Sequence, residues 1–126
     1  MITVIFELWP GEGNRGSYFD LAAHLRPQLD SIDGFISIER FESLATPGKF
    51  LSLSFWRDEA AVQAWRNQQQ HRAAQIAGRG APSSSGILAN YRLRVAQVLR
   101  DYGLNERAQA PADSQAHHPQ LEGQSP

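Results

Sequence analysis

The sequence contains no cysteine, which removes disulfide frameworks, thiolate catalysis, iron–sulfur clusters and Cys-ligated zinc together. It lacks an excess of either charge as well. Twelve Lys+Arg stand against 13 Asp+Glu for a formal net charge of −1, so the broad cationic surface of a nucleic-acid-binding protein is missing. No apolar run approaches the ~18 residues of a membrane span, and Met1 leads straight into a strand-like segment. Neither a spanning helix nor a signal peptide is expected, and the chain reads as cytoplasmic. Walker, HExxH and Gly-x-Ser-x-Gly motifs are absent, and Gly11-Glu12-Gly13 lacks the third glycine of a dinucleotide fingerprint. Hydrolase and phosphotransferase chemistry therefore has no support.

What is present is one domain's worth of chain. At 126 residues it can bury about two-thirds of its unfolded surface in a single core. Residues 105–126 carry Arg107 against Glu106, Asp113 and Glu122, and Leu121 is their only large apolar residue. A stretch so poor in apolar surface cannot offset its ordering entropy, so it reads as a disordered tail. The working domain is residues 1–104, with a net charge of +1.

Within that domain, Ile2, Val4, Phe6 and Leu8 alternate as a strand, and Pro10-Gly11-Glu12-Gly13-Asn14 ends it. Ser17 and Asp20 resemble a capping box for a helix whose stripe is Tyr18, Leu21, Ala22, Leu25 and Leu29, with Pro27 in its last turn. Asp33-Gly34 turns into a strand over 35–42. Thr46-Pro47-Gly48-Lys49 turns again into a strand over 50–56. Asp58 is placed to cap a helix carrying Ala61, Val62 and Trp65, and a further helical stretch runs through His71 to a stop at Gly78-Arg79-Gly80. Pro82 to Gly86 reads as a flexible loop, and 89–100 as a last strand with Tyr91, Leu93, Val95 and Leu99 on one face.

The order β-α-β-β-α-β predicts an α+β, ferredoxin-like split βαβ fold: an antiparallel sheet with both helices on one face. Ile2/Val4/Phe6, Ile36/Ile38, Leu51/Leu53/Phe55 and Tyr91/Leu93/Val95 are expected under the helices. The reverse face would then hold Thr3, Ile5, Glu7, Phe35, Phe41, Phe50, Ser52, Ser54, Ala96 and Val98. That mixture is too apolar for water, so a homodimer meeting through its sheet faces is expected.

The run from Phe35 through Trp56-Arg57-Asp58-Glu59-Ala60-Ala61-Val62-Gln63-Ala64-Trp65-Arg66 resembles the antibiotic biosynthesis monooxygenase family. The resemblance continues through His71-Arg72-Ala73-Ala74-Gln75, Tyr91 to Val95 and Arg100 to Gly103. It implies a dimeric α/β barrel with a cavity between helices and sheet. In cofactor-free relatives the substrate is a planar phenol or quinol whose anion reduces dioxygen, so no cofactor and no metal is required. Trp65 matches the tryptophan lining that cavity. The haem-degrading branch uses a strand-one asparagine and an axial histidine about ten residues past the tryptophan; here Glu7 or Leu8 and Gln75 stand in those places. Haem degradation is not carried over.

The expected partners are thus a small aromatic substrate, dioxygen and a second copy, with no nucleic acid and no membrane. The candidate catalytic residues are His71, Trp65 and Asn67; the candidate substrate-binding residues are Trp65, Phe55, Tyr91 and Glu7. Each has a plainer reading beside it. Trp65 is also an ordinary core residue, and Trp56 a packing or interface residue. His71 is either the acid–base group or a surface histidine. Asn67 bonds a substrate carbonyl or caps a break between two helices. Glu7 is a general base of raised pKa or pairs with Arg40, Arg92 or Arg94. Arg92 and Arg94 share a strand face and suit an anionic substrate group or a partner's carboxylates. His24 reads as exposed, and His117-His118 alone makes no metal site. A non-catalytic binding module on the same fold is the alternative to an enzyme.

Overall fold

The computed structural model describes residues 1–78 and 87–114; the side chains of 70–78 fall outside the described set, as do the expected loop at Pro82–Gly86 and the pair His117-His118. The elements are β1 (Ile2–Pro10), α1 (Arg15–Asp30), β2 (Phe35–Glu42), β3 (Phe50–Trp56), α2 (Glu59–Gly78) and β4 (Leu88–Gln97). They form an antiparallel sheet in the order β2-β3-β1-β4, the ferredoxin-like arrangement the element order predicts. Among the described residues no helix is long and apolar enough to cross a membrane.

The helices cover one face. Leu29 of α1, Trp56 of β3 and Ala61 of α2 form the buried cluster, with Ile2, Val4, Ile32, Phe35, Ile38, Val62 and Trp65 packed around it. Phe19 of α1 meets Phe50 edge to face at 5.1 Å. Across the sheet, Ile2 pairs with Trp56, Val4 with Ser54, Phe6 with Ser52 and Leu8 with Phe50, so these residues all look toward the helices.

This reverses the expected sense of β3. Phe50, Ser52, Ser54 and Trp56 are buried, whereas Leu51, Leu53 and Phe55 lie on the open face. The alternation is as the sequence predicts, but the Trp56 indole and the Phe50 ring take the place of Leu51, Leu53 and Phe55. Trp56 needs room and a hydrogen-bond acceptor, and two small serines supply both: Trp56 Nε1 donates to Ser54 Oγ at 2.9 Å. The Ser54 carbonyl accepts from Thr3 Oγ1 at 3.0 Å, so both polar groups of Ser54 are satisfied. Phe35 also belongs to the helix side, edge to face with Trp56 at 5.2 Å.

Three local expectations change as well. Helix α1 starts at Arg15, ahead of Ser17: Gly13 (φ +76°) turns the chain, and the Asn14 N–H closes on the Gly11 carbonyl at 2.8 Å. Helix α2 is continuous through Asn67, because the Arg-Asn-Gln-Gln-Gln run contains no breaker. Strand β4 stops at Gln97, leaving Leu99 outside it and exposed. The expected cap of α2 is present: Asp58 Oδ1 accepts the Ala61 N–H at 3.0 Å. The Arg57 guanidinium, together with that N–H, holds the Asp58 carboxyl below its ordinary value.

Gly34 begins β2 at φ +95°, where a Cβ would come within 2.8 Å of the Ala61 Cβ. Gly34→Ala therefore combines left-handed strain with a clash against α2. It is expected to cost about 2 kcal/mol or more, read as a lowered unfolding midpoint. Adding Ala61→Gly should recover only the part due to the clash.

The boundary expected at residue 104 runs through a segment with its own bonds. The Asp101 N–H donates to Gln109 Oε1 at 2.8 Å and the Gly103 N–H to the Glu106 carbonyl at 2.9 Å. Arg107 reaches the Gly103 carbonyl and Ser114 Oγ while lying 5.1 Å over the Tyr102 ring. Residues 115–126 lie outside the described set.

Candidate functional site

Helix coverage is uneven across the sheet. Among the described residues, the buried cluster draws on α1, β1, β2, β3 and α2 but on no residue of β4. Yet β4 continues the helix-facing rows: Val95 pairs with Val4, Leu93 with Phe6 and Tyr91 with Leu8. Tyr91, Leu93 and Val95 are 60%, 49% and 45% exposed. Phe6 meets Tyr91 edge to face at 5.6 Å. The result is an apolar floor of Phe6, Tyr91, Leu93 and Val95 with one phenolic hydroxyl, beside rather than beneath the packed core. Such a floor can hold an apolar ring out of water and offer it a single hydrogen bond.

Of the residues expected at the site, Tyr91 lies on this floor, and Trp65 is half-buried on the same side of the sheet, packed against Leu29, Trp56 and Ala61. Trp65 is thus a core residue that also belongs to the helix layer over the sheet. Asn67, exposed and two positions on, is about 200° around the helix from Trp65, so the two do not share a face. His71 lies in α2, with its side chain outside the described set. Phe55 and Glu7 are on the opposite face of the sheet from Tyr91 and Trp65, so among the described residues the four expected binding residues do not share one cavity. Phe6, Leu93 and Val95 were expected as covered core; only the position of the helices, which no local pattern encodes, leaves them open.

Among the described residues, shallow depressions lie on the open face. Phe55 lines one of about 350 Å³ with Met1, Ile36, Ser37 and Val98. Glu7 lines another, about 380 Å³, with Ile5, Phe41, Lys49 and Leu51. Glu7 Oε2 lies 2.6 Å from Lys49 Nζ and Oε1 lies 2.6 Å from an Arg94 guanidinium nitrogen. These bonds, Lys49 first, hold the Glu7 carboxyl below its ordinary range, opposite to a general base of raised pKa. The pairing with Arg94 is the plainer of the two sequence readings. Lys49, which also sits 5.1 Å from the Trp9 ring, was not foreseen, since it comes from the β2–β3 hairpin.

The described strand-one residues do not supply the donor of the haem-degrading branch. Leu8 is fully buried beneath the helices and Glu7 is tied down on the far face, so strand one offers no carboxamide to the helix side. Among the described residues no group of three metal-ligating side chains occurs.

The profile described as "Antibiotic biosynthesis monooxygenase" matches residues 1–77. A protein of Pyricularia oryzae named "Jasmonate monooxygenase ABM" is 45% identical over 106 residues, which make up 84% of this chain and 47% of that protein. The chain therefore spans about half the length of this curated relative. Among solved structures, SnoaB of Streptomyces nogalater, described as a cofactor-independent oxygenase, superposes with a TM-score of 0.61 at 10% identity over 79% of this chain and 94% of its own. MhuD of Mycobacterium tuberculosis, described as a heme-degrader, gives 0.58 at 17% identity over 82% and 100%. At these identities the two structures share the fold with this chain and nothing finer. The match over more than half the sequence and the close relative agree with the fold: the chain belongs to the antibiotic biosynthesis monooxygenase family.

Proposed function

We propose that the chain is a monooxygenase that works as a homodimer through its open sheet faces and needs no metal, flavin or haem. Its substrate is a small planar phenol or quinol held on the floor of Phe6, Tyr91, Leu93 and Val95, beside Trp65. The observation carrying this reading is that apolar floor, which is left open on the face where the rest of the sheet is buried. Deprotonating a phenol gives an electron-rich anion that can pass electrons to dioxygen. The protein's part is to bind the ring, stabilise the anion and exclude water. In this reading the Tyr91 hydroxyl donates to the anion, and His71 of α2 is the candidate proton acceptor.

The 45% identity to a protein named for jasmonate favours a second reading of the substrate, a cyclopentanone-bearing carboxylic acid. Redox arithmetic separates the two. Turning the ring C–H opposite a phenol's hydroxyl into a quinone carbonyl, with loss of the hydroxyl proton, releases all four electrons that reduce one dioxygen: one oxygen atom enters the ring and the other leaves as water. Inserting a single hydroxyl releases only two, so an added reductant must supply the rest.

The test is oxygen uptake with a panel of quinols and with jasmonate, each with and without NADPH, in the presence of a chelator. A quinol that consumes oxygen without reductant supports the first reading, and jasmonate consumed only with NADPH the second. Trp65→Phe should slow turnover by about tenfold or more while keeping the fold. If no compound consumes oxygen faster with the wild type than with Trp65→Ala, the enzyme reading fails. A ligand that raises the melting temperature unchanged would then make the chain a binding module.

A further inference from the structure

Helix α2 leads from the Trp56 end of β3 toward the Leu88 end of β4, and β1 lies between those two strands in the sheet. Its first turns meet the sheet with apolar residues. Ala61 is buried, and Val62 and Trp65 are half-buried on the cluster that Ile2 and Val4 also join. One turn further, the same side becomes polar. The positions three and four beyond Trp65, its neighbours along the helix face, are Gln68 and Gln69, where a core stripe would continue with apolar residues. Gln68 is half-buried and Gln69 exposed, and neither carboxamide has a hydrogen-bond partner among the described residues.

Helix and strand rise decide what lies beneath them. Three or four helical residues advance about 5–6 Å, and successive residues on one face of a strand are about 6.6 Å apart. One turn past Trp65 and the Val4 row, Gln68 and Gln69 therefore come level with the row that pairs Phe6 with Leu93. That row is the middle of the apolar floor, and Leu93 is 49% exposed there. A ring laid on this floor takes water away from the carboxamides over it. A carboxamide that loses water needs another hydrogen-bond partner, and an oxygen carried by the ring supplies one.

We propose that Gln68, with Gln69 beside it, determines which ring the site accepts: the carboxamide N–H donates to a phenol oxygen or a ring ketone. A bare hydrocarbon ring leaves that donor unpaired and is discriminated against. This rests on the reading of the floor as the substrate site and adds the group that selects the ligand there.

Equilibrium dialysis tests it with 2-naphthol and 1-indanone, each beside its oxygen-free counterpart, naphthalene or indane. In Gln68→Leu the dissociation constant for an oxygen-bearing probe should rise about fivefold or more, while that for its hydrocarbon stays the same or falls. The probe that responds tells whether the site takes a phenol or a ketone. Gln69→Leu should act in the same sense but less, and Gln63→Leu, exposed on the outer side of α2, should change nothing. Leu93→Arg should weaken every probe, and circular dichroism checks each fold. Wild-type binding of all probes by the Gln68 and Gln69 variants, alone and combined, with Leu93→Arg still weakening them, would overturn the role of the glutamines and keep the floor. Equal weakening of a probe and its hydrocarbon would likewise overturn it, leaving Gln68 a packing residue. Probes that bind the wild type and Leu93→Arg alike, or bind neither, would overturn the floor itself and this inference with it.

Discussion

Trp56→Ala is expected to cost about 3–5 kcal/mol, a large part of the roughly 5–15 kcal/mol that holds a domain together. Among the described residues Trp56 and Leu8 are the largest side chains lying fully inside, and Trp56 is 1% exposed. Its indole joins all the layers: Phe35 of β2 packs on it edge to face, and Leu29 and Ala61 bring α1 and α2 against it. Ser52 and Ser54 are too small to fill the space left behind, so relaxation around the cavity is limited. The midpoint of urea unfolding checks the expectation. Trp56→Phe should cost less, losing part of the volume and the bond to Ser54 Oγ.

Leu53→Lys should act on assembly rather than on the protomer. Leu53 sits mid-sheet on the open face, opposite Ile5 in the register, where helices contribute nothing. In an isologous pair each substitution counts twice. About 2 kcal/mol of lost burial per leucine therefore raises the dissociation constant roughly a thousandfold. Circular dichroism of the variant should stay that of a folded chain. A loss of fold at concentrations where the wild type is dimeric would mean that the protomer depends on its partner.

The strands were legible where their signals are local. Asp33-Gly34 and Thr46-Pro47-Gly48 punctuate the chain, and the bounds of β2 and β3 follow from them together with strict alternation. Which way β3 faces was not legible. Alternation specifies two sets of residues without saying which set meets the helices, and burying the more apolar set is the wrong choice here. The sheet in fact turns Leu51, Leu53 and Phe55 outward beside Ile5 and Phe41, which is the arrangement of a protein with two apolar layers to fill. At the site, Trp65 could be read from its spacing and from the family likeness. The open floor of Phe6, Leu93 and Val95 could not, since it depends on where α1 and α2 come to rest. The Glu7–Lys49 bond depends in the same way on how a hairpin folds back.

The most direct test of the reversed β3 and its open apolar face is the mass of the unmodified protein in solution, measured by sedimentation across a range of concentrations. A species of twice the 14.0 kDa chain, falling to one chain on dilution or on Leu53→Lys, is the expected result. A single 14.0 kDa chain at every concentration would contradict it, leaving Leu51, Leu53 and Phe55 facing water with no partner to cover them.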